Sequence, residues 1–160
     1  MNVTALRLCL CAMLVLGLST AAVADGGGSS GGNNAWKDSS KLKPAQDVIA
    51  LGDYNTAIEK LTALRREDPK DPDVLNLLGF SYRKLGDFDN ALRNYEAALA
   101  LKPKHLNANE YLGELYLQTG RLDKAQERLA VLDDACFFGC KQYTKLKQAI
   151  KAYKQDNGLQ

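Results

Sequence analysis

Histidine occurs once in this sequence, at His105, tryptophan once, at Trp36, and cysteine four times, two of them within the first eleven residues. That scarcity excludes a zinc-spaced Cys/His set, and the sequence also has no HExxH, no GxSxG and no Gly-rich phosphate loop. Neither catalytic residues nor a metal or cofactor site is therefore expected, and the chain is not read as an enzyme. No charge of one sign dominates either: 21 Lys and Arg face 19 Asp and Glu. Nucleic acid normally demands a clustered basic face, so it is not an expected partner. What is left, 46% hydrophobic and 25% charged residues, is an ordinary soluble composition with room for one domain.

Long apolar runs are missing except at the start. Arg7 precedes an uncharged stretch from Leu8 to Leu18, and Ala22-Val23-Ala24 then matches the small-x-small pattern of a secretory cleavage site. Residues 1–24 are expected to be a signal peptide, with Asp25 the first mature residue. The competing reading is an uncleaved anchor, but Leu8 to Ala24 is 17 residues, where a spanning helix needs about 20. Cys9 and Cys11 lie within the apolar run rather than at its end, which argues against a lipid anchor. Removal of Arg7 leaves 20 basic and 19 acidic side chains, and no membrane insertion is expected after cleavage. Residues 25–37 read as a flexible linker, since Gly26 to Asn34 is Gly, Ser and Asn throughout. Trp36 has two readings: a cover packed on the first folded segment, or an exposed anchor for a partner.

Beyond the linker one pattern returns. GDYNTAIEKL at Gly52–Leu61, GDFDNALRNY at Gly86–Tyr95 and GRLDKAQERL at Gly120–Leu129 are spaced by 34 residues. Ala57, Ala91 and Ala125 follow the glycines by five, and Leu61, Tyr95 and Leu129 come four later. A fixed period of this length marks stacked helical hairpins rather than one closed globule. A small residue where helices cross lets backbones approach, while Tyr82, Phe88 and Tyr95 would fill the space between hairpins. Gly86 suits a helix end that needs a positive φ, and Asp71-Pro72 supplies an N-cap acceptor followed by proline at the first helical position.

These residues resemble the tetratricopeptide repeat (TPR). The middle copy, residues 72–105, carries Leu78-Gly79, Tyr82, Gly86, Ala91, Tyr95, Ala98 and Pro103. The third, 106–137, keeps Leu112-Gly113, Tyr116, Gly120 and Ala125 but has Phe137 where the family has proline. The first, 38–71, keeps Gly52, Tyr54, Ala57 and Pro69, with Pro44-Ala45 in place of Leu-Gly, so its first helix is expected to be short. The resemblance implies an all-α fold, a right-handed superhelical stack of about three hairpins. Helices are expected at Leu42–Leu51, Tyr54–Arg66, Pro72–Leu85, Phe88–Leu101, Leu106–Gln118 and Leu122–Asp134.

Residues 138–160 lie outside the repeats, with a helix expected at Gln142–Lys154. Tyr143, Leu146, Ile150 and Tyr153 follow steps of three and four and so share one apolar face. Lys141, Lys145, Lys147, Lys151 and Lys154 occupy much of the rest. The helix is expected to cap the stack, its lysines either solvated or turned to an acidic surface. The mature chain keeps only Cys136 and Cys140, in Cys136-Phe137-Phe138-Gly139-Cys140. In an exported chain they suggest a disulfide, with the backbone turning near Gly139. A redox-active dithiol and a soft-metal site are the other readings. The spacing is unlike that of oxidoreductase motifs, and His105 stands more than thirty residues away.

In the family, the first helix of each repeat lines a concave surface. The positions carried over are Asn76, Phe80 and Arg83 from the second copy and Asn107, Glu110, Tyr111 and Glu114 from the third. The resemblance implies that the rings anchor a partner, the amides grip an extended backbone, and Arg83 and the glutamates select charge. The plainer reading pairs Arg83 with Glu110 or Glu114 across hairpins. A subset of the family clamps a terminal carboxylate with lysines and asparagines, but the matching positions here include Leu42, Gln46, Leu77 and Tyr111, which argues against that mode. The expectation is an exported adaptor or scaffold that binds a protein or peptide segment in an envelope complex, in the periplasm first and secreted second. The alternatives are a thiol-redox or metal-handling accessory factor using Cys136 and Cys140, and a subunit whose repeats only stack on another chain.

Overall fold

In a computed structural model that describes residues 35–137 and 139–159, the chain forms seven α-helices, with no strand among the described residues. They are α1 (Ala35–Ala50), α2 (Tyr54–Glu67), α3 (Pro72–Lys84), α4 (Phe88–Leu101), α5 (Leu106–Gln118), α6 (Leu122–Ala135) and α7 (Lys141–Asp156). The expected signal segment and residues 25–34 of the linker lie outside the described residues, as do Phe138 and the side chain of Trp36. The last three linker positions belong to α1.

Local chemistry sets the helix ends. The Asp53 carboxylate accepts from the Thr56 N–H, Asp71 from those of Asp73 and Val74, and Asp87 from that of Asn90. Each satisfies donors that a helix start leaves unpaired. Asp71 is followed by Pro72, whose missing amide costs nothing at a first helical position. Within each hairpin the turn falls on the repeated glycine: Gly52, Gly86 and Gly120 hold φ of +79°, +80° and +74°. That left-handed conformation is one that glycine alone adopts without a Cβ penalty.

α1 is longer than expected. It runs for 16 residues and passes straight through Pro44. Pro44 is exposed, whereas Leu42 and Ala45 are buried, with Val48 and Ile49 packed beside them. Burying that face holds the helix through a residue that donates no hydrogen bond. Ala45 also stands one period before Gly79 and two before Gly113, so the small-residue position survives in the degenerate copy. Phe88 departs from its expected place between hairpins. As the first residue of α4, beside the turn, it is 36% exposed.

The hairpins α1–α2, α3–α4 and α5–α6 stack in chain order as a right-handed superhelix, with α7 against both α5 and α6. One apolar cluster, including Leu42, Ala57, Leu61, Val74 and Leu78, joins the first hairpin to α3. A second runs from Leu75 and Tyr95 through Leu112 and Leu132 to Leu146 and Ile150 of α7, and Tyr82 packs against both. Close approach explains two more glycines. A Cβ on Gly79 would lie 2.7 Å from the Tyr95 ring, and one on Gly113 would lie 2.5 Å from Leu146. Leu146 and Ile150 are buried, and Tyr143 and Tyr153 pack beside them, so the apolar face read on the terminal helix is the one that docks.

Candidate functional site

The first helices of successive hairpins lie side by side: α3 touches α5, and α5 touches α7. They form one wall. On α3, Asn76, Phe80 and Arg83 follow steps of four and three, which places them on one face. The Phe80 ring sits 4.9 Å from that of Tyr111 and 6.2 Å from that of Tyr54, which meets it edge-on. Tyr111 in turn lies 6.3 Å from Tyr95. The Arg83 guanidinium stands 5.6 Å from the Phe80 centroid and 5.7 Å from that of Tyr111. Rings offer a partly desolvated cation favourable electrostatics, and Arg83 is only 6% exposed.

Arg83 Nη2 lies 2.7 Å from Glu114 Oε2, and Nη1 donates to Gln118 Oε1 at 3.4 Å. Of the two readings of Arg83, pairing across hairpins is the arrangement present, and the partner is Glu114 rather than Glu110. Glu110 is 2% exposed and accepts instead from Lys145 Nζ at 3.1 Å. Burial pushes the Glu110 carboxyl above its ordinary pKa, and the lysine pulls the other way without overcoming it. Lys145 is raised by the hydrogen bond to Glu110. Asn107 is likewise engaged by α7, its Oδ1 accepting from Gln142 Nε2 at 2.7 Å.

The predicted residues therefore divide. Phe80, Arg83, Tyr111 and Glu114 come together, whereas Asn107 and Glu110 hold the terminal helix. Sequence reasoning missed Tyr54, Gln118, Gln142 and Lys145. A signal for three of them was present. Arg83–Gln118, Asn107–Gln142 and Glu110–Lys145 are each 35 residues apart, one more than the repeat. The wall also holds polar atoms without a partner among the described residues. Asn76 Oδ1 and Arg83 Nε are buried and make no hydrogen bond. Such groups are costly unless something completes them. Burial raises the pKa of the Tyr95 and Tyr111 hydroxyls, so both rings remain neutral donors.

At the far end Cys136 and Cys140 are joined, with their Cα atoms 5.6 Å apart. Gly139 between them has φ +81°, so the backbone does turn there. Cys136 ends α6, and Cys140 begins α7 with its Sγ accepting from the Tyr143 N–H. His105 is occupied elsewhere: its Nε2 lies 2.9 Å from Asp73 Oδ1, and its Nδ1 accepts from the Ala108 N–H as the cap of α5. That hydrogen bond holds the Asp73 carboxyl below its usual range.

The sequence model of the tetratricopeptide repeat family matches residues 82–150. No curated protein sequence matches the chain. Among solved structures the chain is similar to SycD, a type III secretion translocator chaperone of Yersinia enterocolitica. The identity is 21%, over 76% of this chain and 94% of that one, with a TM-score of 0.67. The same chaperone in complex with a peptide of the translocator YopD is similar at 20% identity, over 77% and 96%, with a TM-score of 0.64. TTC0263, a thermophilic TPR protein of Thermus thermophilus, is similar at 24% identity, over 75% and 66%, with a TM-score of 0.64. At these identities the likeness is one of fold.

Proposed function

This chain is a tetratricopeptide-repeat protein, and on that premise we propose that it is an adaptor whose wall of first helices holds an extended segment of another protein. The observation that carries this is the juxtaposition of half-buried rings, Tyr54, Phe80 and Tyr111, with a buried Asn76 carbonyl that meets no hydrogen-bond donor among the described residues. Rings supply contact area with little side-chain entropy to lose, and an amide acceptor suits a backbone N–H, which every peptide offers. Arg83 and Glu114 neutralise each other, so the wall as built favours apolar side chains over charged ones. A structural relative of the same fold has been solved with a peptide of its client, which supports a peptide as the occupant. No reaction belongs to this reading. The leader expected over residues 1–24 would deliver the protein out of the cytoplasm, to the periplasm and an envelope complex there.

The test is site-specific photo-crosslinking in the producing cell, with the crosslinker at Gln118 on the wall or at Arg93 on α4. Crosslinks to a protein segment from Gln118 and not from Arg93 are expected, and Phe80→Ala with Tyr111→Ala should weaken them several-fold while far-ultraviolet circular dichroism stays unchanged. Crosslinks that survive the double substitution would move the binding surface to another face. The cysteine pair is assigned a structural part, because it links the end of α6 to the cap of α7. A pair inert to mild reductant and free of metal in the purified mature protein agrees with this. Ready cycling near the redox poise of the compartment would instead give it to thiol chemistry.

A further inference from the structure

The first helix of each interior hairpin is flanked by its own second helix, as α3 is by α4 and α5 by α6. Continuing the series, α7 sits where the first helix of a fourth hairpin would be: it packs on α6 and α5, and its Gln142 and Lys145 meet Asn107 and Glu110 across 35 residues, as Gln118 of α5 meets Arg83 of α3. Among the described residues no helix stands to α7 as α4 stands to α3. On that open side α6 and α7 bound a cavity of about 710 Å³. Its floor is apolar, made by Leu129, Tyr143 and Ile150, with Leu159 at one end. Its rim carries Lys147 and Lys151, and no Asp or Glu is among the described residues that line it. Lys147 also lies 5.4 Å from the Tyr143 ring, which keeps its charge over the floor.

We infer that this end groove docks a helix of another protein, one with an apolar stripe flanked by Asp and Glu. The repeat geometry supplies the shape, since a second helix is what the stack places on that side of a first helix. The bounding helices are 14 and 16 residues long, so the groove accommodates about four helical turns. The lysine rim supplies the sign. An acidic flank would meet Lys147 and Lys151, whereas a basic one would meet like charge. The surface is separate from the wall of rings, so the adaptor would hold two partners at once.

The probe is a fluorescein-labelled synthetic peptide of about four helical turns with leucines at steps of three and four and glutamates beside them. Its twin carries lysine for every glutamate. Both are titrated by anisotropy against the full mature protein at low salt. The acidic peptide is expected to bind about tenfold or more tightly than its twin, to weaken as salt is added, and to lose that advantage with Lys147→Glu plus Lys151→Glu. Phe80→Ala plus Tyr111→Ala should leave it unchanged, which separates this surface from the wall. Equal binding of the two peptides, or no saturable binding, would overturn the inference. So would attachment to phosphatidylglycerol vesicles without peptide binding, or a dimer in sedimentation that Lys151→Glu abolishes.

Discussion

Two ion pairs fasten the wall, and they are built the opposite way round. Where α3 meets α5 the buried partner is the cation, Arg83, and its acid Glu114 is partly open to solvent. Where α5 meets α7 the buried partner is the acid, Glu110, and its cation Lys145 is about half exposed. The difference matters because the two buried groups have different escapes. A guanidinium stays protonated at any pH the fold survives, so a buried Arg83 must always be compensated, here by two rings, Glu114 and Gln118. A buried carboxyl can take up a proton, and Glu110 is already displaced in that direction. The first joint is permanent. The second is conditional, on pH and on the presence of α7.

The largest effect should come from stranding the group with no escape. Glu114→Ala leaves Arg83 buried without its acid and is expected to destabilise the fold by about 3 kcal/mol at neutral pH. Lys145→Ala strands Glu110 in the same way, but protonation limits the loss to roughly 1–2 kcal/mol. Denaturant melts of the two variants compare the joints directly. If Lys145→Ala is as damaging as Glu114→Ala at every pH, the asymmetry drawn here is wrong.

The pH dependence sharpens the same contrast. The folded-state pKa of Glu110 lies above its ordinary 4.5, so between the two values the native chain binds more protons than the unfolded one. Stability from this group therefore falls as pH rises through that window and is recovered on acidification. Glu110→Gln should remove this slope, and the deficit of Lys145→Ala should shrink towards acid as Glu110 takes up its proton. Asp73 works in the other direction: its lowered carboxyl contributes stability that is lost as pH falls from 3.8 through the folded value. The difference between wild type and Glu110→Gln isolates the one from the other. A flat difference across the range above 4.5 would mean that Glu110 is not held as its burial implies.

Much of the helical framework was legible because the repeat fixes turns and crossings with residues that have few substitutes. Gly86 marks a positive φ, Ala91 a close crossing, and Asp71-Pro72 a start, and α3 opens at Pro72 and α4 spans Phe88–Leu101 where those signals put them. Pro44 misled because a local rule about proline lost to the burial of Leu42 and Ala45, which only the neighbouring helix makes visible. On the wall, face membership was readable from steps of three and four, but the partners were not. Whether Arg83 meets Glu110 or Glu114 depends on the stagger between α3 and α5, and that stagger is a property of stacked backbones rather than of either helix. Gln142 and Lys145 were overlooked although each follows its partner by 35 residues. They lie beyond the three copies marked out by the glycine period, although the family model extends to residue 150, so those copies alone gave α7 no place in the wall.

The smallest effect tests whether the two joints are independent. Cys136→Ser with Cys140→Ser opens a ring of only a few residues, worth about 2 kcal/mol in the chain-entropy picture. The loss should be partly offset, because a hydroxyl at the start of α7 is a better acceptor for the Tyr143 N–H than the sulfur now there. The ring fixes how α7 enters, and α7 supplies Lys145 and Gln142 to α5, whereas α3 is packed by α2, α4 and α5. Hydrogen exchange should therefore quicken in α7 and along the α5 face it covers, while α3 and α4 keep their protection. In a stack held by nearest-neighbour contacts a loosened end does not reach the middle. Equal quickening in α3 would show that the wall opens as one body, and the contrast between its permanent and its conditional joint would then have no energetic meaning.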